Sequence, residues 1–243
     1  MQKPPHEYIV LALDNCENCA QLETLIKSTT PYIGTFKIGL EQYVRFGAPI
    51  VELAKKSGRS IFLDLKFHDI PNTVAQAVTA AADLGVDYLT VHTQGGIEMM
   101  RAAKQAALQA QQLGKKRPAI IGVTILTSIS QEALNSELNV GIAVADQVRH
   151  LATCAVAAGI DGIVCSAADL PTVKPVLPHD FIVITPGIRP AGSDVNDQKR
   201  IATPAEAVAN GATLLVIGRP ITGARDPAMA AKAIGESLEN VVI

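Results

Sequence analysis

The chain has 243 residues, of which 48% are hydrophobic and 18% charged, with a net charge of −2 at pH 7. That is enough apolar material for one sizeable core, and the charge balance gives no footing for nucleic-acid binding. No charged leader runs into an apolar segment and no apolar stretch reaches about 18 residues, so a cytoplasmic protein without a membrane span is expected.

The first candidate strand, 8–13, ends in Asp14. Cys16 and Cys19 follow as a CxxC, but a second CxxC or a histidine pair, which zinc would need, is missing, and they read as ordinary thiols. The second strand, 34–38, carries Lys37, and a helix is expected over 41–56. The third strand, 60–65, runs into Asp64-Leu65-Lys66-Phe67-His68-Asp69-Ile70-Pro71-Asn72-Thr73. Strand side chains alternate with period 2, so Asp64 and Lys66 share a face. A carboxylate and an ammonium facing one way, with Asp69 beyond them, are costly to desolvate unless paired or used.

A helix over 71–84 leads to strand 88–91 and His92. A helix over 97–111 places Met99 and Met100 for packing. Strand 119–124 is followed by Thr127. Next come a helix over 144–158, strand 162–165 and strand 181–185. Arg189 falls within a polar segment, 186–201, that is long for a connection of this kind and reads as a lid over a ligand. A helix over 204–209, strand 214–217 with Gly218 and Arg219 at its end, and a helix over 226–239 complete the chain.

A degenerate unit recurs along this path. Ala-rich helix ends lead to Gly58, Gly85, Gly159 and Gly211, each followed by a β-branched strand. Glycine there suits a helix C′ position with φ > 0. The strands are apolar on both faces, as parallel strands covered by helices should be. Eight strands alternating with helices predict an α/β fold, a single-domain (β/α)8 TIM barrel over 1–243. An open doubly wound sheet is the alternative, but the first strand lacks a following G-x-G-x-x-G.

In such barrels the site forms at the C-terminal strand ends. Asp14, Lys37, Asp64, Lys66, His92, Thr124, Thr127, Arg189, Gly218 and Arg219 all fall there. The loops after strands 7 and 8 commonly hold phosphate, and the two arginines can each offer a bidentate fork. His92 reads as a satisfied histidine, and His6, His150 and His179 as surface residues.

The ten-residue motif 64–73, together with Ala12-Leu13-Asp14, Phe36-Lys37-Ile38-Gly39, Val123-Thr124-Ile125-Leu126-Thr127-Ser128, Thr185-Pro186-Gly187-Ile188-Arg189-Pro190 and Ile217-Gly218-Arg219-Pro220, resembles the orotidine 5'-phosphate decarboxylase family over nearly the whole chain. The resemblance implies a cofactor-free, metal-free barrel that makes UMP from orotidine 5'-monophosphate in pyrimidine synthesis and works as a homodimer. It implies a charge network of Lys37, Asp64, Lys66 and Asp69, with Lys66 as the proton donor. By the same resemblance Asp14 and Lys37 hold the ribose, Thr127 the pyrimidine, and Arg189, Gly218 and Arg219 the phosphate. Gln198 would bridge lid and substrate, and Asp69, Ile70 and Thr73 would reach the neighbouring subunit's site.

Overall fold

The structure is a computed structural model that describes residues 3–190, 202–239 and 241. Its eight parallel strands close in sequence order, each pairing with the next and β8 with β1. They are β1 (Ile9–Ala12), β2 (Thr35–Gly39), β3 (Ser60–Phe67), β4 (Tyr88–His92), β5 (Ala119–Val123), β6 (Gly162–Val164), β7 (Ile182–Thr185) and β8 (Leu214–Ile217). The helices are α1 (Cys19–Thr29), α2 (Leu40–Phe46), α3 (Ala48–Lys55), α4 (Pro71–Asp83), α5 (Gly96–Gln112), α6 (Gln131–Ser136), α7 (Val144–Ala158), α8 (Leu170–Val173), α9 (Pro204–Ala209), α10 (Arg219–Thr222) and α11 (Pro227–Glu236). The expected barrel is therefore present, with all eight strands where the apolar runs place them.

One local reading changes, and one helix not anticipated is added. The single helix expected over 41–56 is broken into α2 and α3 at Gly47, whose φ of +63 only glycine adopts cheaply, with Pro49 in the first turn of α3. The interval after β1 holds α1, whose N-cap is Asn18, accepting from the Gln21 N–H at 3.0 Å. Cys19 is simply the first residue of that helix, and all four cysteines are free thiols.

Alternation sorts the side chains into two cores. Val10, Phe62, Ile121, Ile184 and Leu214 fill the barrel interior, packed by Tyr88, Val164 and Val216. Residues of the opposite parity, such as Leu11, Ile61, Leu63, Leu89 and Ile163, meet the inner faces of the helices, where Met99 and Met100 are fully buried. Among the described residues no helix is long and apolar enough to cross a membrane.

The recurring glycines do what their spacing suggests. Gly58, Gly85, Gly159 and Gly211 all have positive φ. Two residues past three of them, a side chain reaches sideways and accepts the N–H of the second residue of an odd-numbered strand. Asp87 takes Ile61 N–H at 2.8 Å, Asp161 takes Ile120 N–H at 2.9 Å, and Thr213 Oγ1 takes Val183 N–H at 2.9 Å. The N-terminal rim of the barrel is thus stitched strand to strand. Asp161 also holds Lys104 at 2.6 Å and Arg117 at 3.0 Å, all three largely shielded from solvent. Asp161→Ala would strand both cations and one backbone donor, so a loss of about 3 kcal/mol is expected in urea unfolding. Because this rim lies at the far end from the strand-end residues, kcat of the folded variant should stay near the parent value.

Candidate active site

The C-terminal strand ends surround a cavity of about 290 Å³. Asp14, Lys37, Asp64, Lys66, Thr127, Arg189, Gly218 and Arg219 all line it, as the sequence leads one to expect. Its apolar wall is built by inward-facing strand residues, including Phe62, Val123, Val164 and Val216.

Four charged groups form an alternating row. Lys37 Nζ lies 3.5 Å from Asp14 Oδ1 and 3.7 Å from Asp64 Oδ2. Lys66 Nζ donates to both Asp64 oxygens at 2.9 Å. Burial alone would push the Asp64 carboxyl upward. The Lys37 and Lys66 ammoniums, with hydrogen bonds from Lys66 and Thr90, outweigh it and hold Asp64 below the ordinary carboxylate value. The row keeps a carboxylate ionised in a place where burial opposes it.

Lys66 reaches Asp64 by a different route from regular alternation. Five residues of β3, from Leu63 to Phe67, run beside three of β4, from Leu89 to Val91. The resulting bulge turns Lys66 into the left-handed region at φ +52. For a lysine that costs about 1 kcal/mol or more, and such strain gathers at functional sites.

A second cluster faces the row across the cavity. Arg189 is buried, and its guanidinium charge is disfavoured by that burial and by the nearby Arg219. Its Nη1 donates to Ile188 O at 3.0 Å, while Nε finds no partner among the described residues. Two guanidiniums brought together with a buried donor to spare make a receptor for an anion with several oxygens.

Asp69, Ile70 and Thr73 are exposed and do not line this chain's own cavity. Asp69 Oδ1 accepts from the Ile70 N–H at 2.6 Å. Gln198, and residues 191–201 of the segment read as a lid, lie outside the described residues. Thr124 is a strand-end residue that stays structural, bonded to Val164 O at 2.8 Å. His92 is only in part the satisfied histidine expected: the Val123 backbone hydrogen-bonds its ring, while its buried Nδ1 has no partner among the described residues. Burial, then His68 at 5.6 Å and Lys66, push its pKa down. Among the described residues no group of three or more His, Cys, Asp or Glu side chains is placed to hold a metal ion.

Sequence reasoning passes over several supporting residues. Gln42 is fully buried and donates to Cys16 O at 3.2 Å, anchoring the loop that carries Asp14 and Asn15. Gly39 ends β2 beside the charge row. A Cβ there would sit 3.0 Å from Lys37 Nζ and 3.3 Å from Asp14 Oδ1. Its φ of −89 suits any residue, so Gly39→Ala should fold normally and still disturb the site. A displacement of that size is expected to lower kcat/KM about 10-fold or more, with an unchanged melting temperature.

A profile of the family described as Orotidine 5'-phosphate decarboxylase / HUMPS matches residues 7–234. The orotidine 5'-phosphate decarboxylase of Moorella thermoacetica is 47% identical over 234 residues, covering 96% of this chain and 92% of its own. The enzyme of the same name from Dichelobacter nodosus is 49% identical over 233 residues, covering 96% and 99%. Among solved structures, orotidine 5'-phosphate decarboxylase from Lactobacillus acidophilus superimposes with a TM-score of 0.84 at 36% identity, covering 96% of this chain and 99% of that one.

Proposed function

We propose that this chain, which belongs to the orotidine 5'-phosphate decarboxylase / HUMPS family, converts orotidine 5'-monophosphate to UMP and CO2 with Lys66 as the proton donor. The observation that carries the reading is the alternating row Asp14–Lys37–Asp64–Lys66 facing the Arg189–Arg219 pair within one cavity. A substrate with a phosphate at one end and a carboxylate on a ring at the other matches that polarity. The step belongs to the biosynthesis of pyrimidine nucleotides.

Breaking the bond between C6 and the carboxylate releases CO2 and leaves an electron pair on C6 with no conjugated sink. Lys66 would stabilise that pair as a cation and then donate a proton from Nζ to C6. Asp14 and Lys37 would hold the ribose hydroxyls, Thr127 the pyrimidine, and Arg189, Gly218 and Arg219 the phosphate. Asp64 would face the departing carboxylate. Two such charges about 4 Å apart repel by about 4 kcal/mol at an effective dielectric of 20. Very slow reactions need barrier reductions towards ~20 kcal/mol. Carbanion stabilisation and remote phosphate binding therefore have to supply most of the effect.

Asp69, Ile70 and Thr73 would complete the neighbouring site of a homodimer, with Gln198 contributing from its own chain. Ile70 is 66% exposed, and Leu40 and Val44 on the adjacent α2 are 53% and 83% exposed, which supports a covering partner at this end of the barrel. The function is tested by adding purified protein to orotidine 5'-monophosphate and following ultraviolet absorbance. Decay to UMP that is unaffected by EDTA is expected, and no decay would overturn the proposal.

A further inference from the structure

Thr90 is completely buried in the middle of β4 and does not line the cavity. It nevertheless joins the backbone and the side chain of the charge row. The Lys66 N–H donates to Thr90 Oγ1 at 2.8 Å, and Thr90 Oγ1 lies 3.0 Å from Asp64 Oδ1. A hydroxyl has one hydrogen. Since Lys66 N–H and the ionised carboxylate fix the roles at both ends, that hydrogen must point to Asp64. With the Lys66 ammonium on the same carboxylate, the loop closes: Lys66 backbone, Thr90 hydroxyl, Asp64, Lys66 side chain.

The loop sits where the β3–β4 ladder is interrupted. Thr90 lies between Leu89 and Val91, the two β4 residues that flank the bulge. Neither neighbouring ladder supplies the Lys66 N–H with a partner: the β2 pairing ends at Gly39 opposite Asp64, and the β4 register is broken between Leu63 and Phe67. The left-handed turn at Lys66 also needs something to hold it. The Thr90 hydroxyl does both. A valine would fill the same space and leave the Lys66 N–H and one Asp64 lone pair without partners.

We propose that Thr90 is a positioning residue for the decarboxylation, its hydroxyl fixing both the bulged backbone of Lys66 and the orientation of Asp64. This inference rests on the reading of Lys66 as the proton donor. Thr90 touches no substrate, so its effect should fall on the chemical step and not on nucleotide binding.

The test is steady-state kinetics of Thr90→Val and Thr90→Ser with orotidine 5'-monophosphate across about pH 5 to 9, alongside UMP binding and thermal melts. Thr90→Val is expected to lower kcat about 10- to 100-fold, with KM and the UMP Kd within about threefold of the parent. Thr90→Ser, which keeps the hydroxyl, should restore kcat to within about threefold.

The acid limb of kcat should also move to higher pH in Thr90→Val. Asp64 faces Lys37 from β2, Lys66 from its own strand and Thr90 from β4, with His92 at the end of β4 and Asp14 beyond Lys37. Removing the Thr90 donor takes away one group that favours the ionised carboxylate, so the carboxyl protonates at higher pH.

A Thr90→Val kcat within about twofold of the parent, or a Thr90→Ser variant as impaired as Thr90→Val, would overturn the inference. If Thr90→Val does not fold, Thr90→Cys keeps the volume with a weaker donor. Its kcat should then fall below that of Thr90→Ser, and equality with the parent would overturn the proposal. Lys66→Ala is measured in parallel. If it retains turnover, the donor reading itself fails; if it is inactive while Thr90→Val is unimpaired, only the Thr90 inference falls.

Discussion

Lys66→Ala is expected to lower kcat for orotidine 5'-monophosphate by at least about 10⁴-fold, because general-acid and electrostatic contributions of about 10²-fold or more each would be lost together. UMP should still bind, since the arginine cluster across the cavity is untouched. The substitution also removes one of the two cations on Asp64, leaving Lys37 at 3.7 Å as its remaining ammonium. The Asp64 carboxyl should then titrate at higher pH than in the parent, because burial is opposed by fewer positive groups. Single-turnover measurements separate these effects from product release. Turnover retained within tenfold would sink the assignment of Lys66 as donor. Lys66→Arg is a sharper control: it keeps a cation able to pair with Asp64, but its guanidinium does not give up a proton readily. It should remain as inactive as Lys66→Ala.

The barrel is legible because parallel strands covered on both sides must be apolar throughout, and such runs recur in this chain between Gly-ended helices. Thr127, Arg189 and Arg219 follow from knowing which strand ends converge. Other features are hidden for identifiable reasons. Helix α1 presents Leu22 and Ile26 at helical spacing, with Asn18 as its cap, yet the CxxC spacing of Cys16 and Cys19 suggests a different reading of the same stretch. Gly47 and Pro49 mark the break between α2 and α3, but each of them is also tolerated near a helix end, so the sequence alone fits one helix or two. Regular alternation and the observed bulge both bring Lys66 to Asp64, so pattern cannot distinguish them. Thr90 leaves no trace at all. A threonine in a strand is ordinary, and its importance arises only because β4 lies beside the bulged residue of β3 whose backbone donor has no ladder partner.

Arg219→Ala should lower kcat/KM for orotidine 5'-monophosphate about 10²- to 10³-fold, from one or two charge-assisted hydrogen bonds worth about 1.5–3 kcal/mol each. The physical reason lies in the pair. In the free protein the Arg189 charge is disfavoured by burial and by Arg219, and Arg189 Nε has no partner among the described residues. A phosphate dianion between the two guanidiniums reverses the repulsion and can accept the spare donor. Binding energy released there is remote from C6, so it can be used to hold the ring against Lys66 and Asp64. Two measurements separate this from general damage. UMP should raise the melting temperature of the parent but raise that of Arg219→Ala much less, since ligand stabilisation follows affinity. The nucleoside orotidine, which lacks the phosphate, should be turned over at the same slow rate by both proteins. An unchanged kcat/KM for the nucleotide would refute the phosphate role. An equal loss for nucleotide and nucleoside would instead place Arg219 in maintaining the Asp14–Lys37–Asp64–Lys66 row.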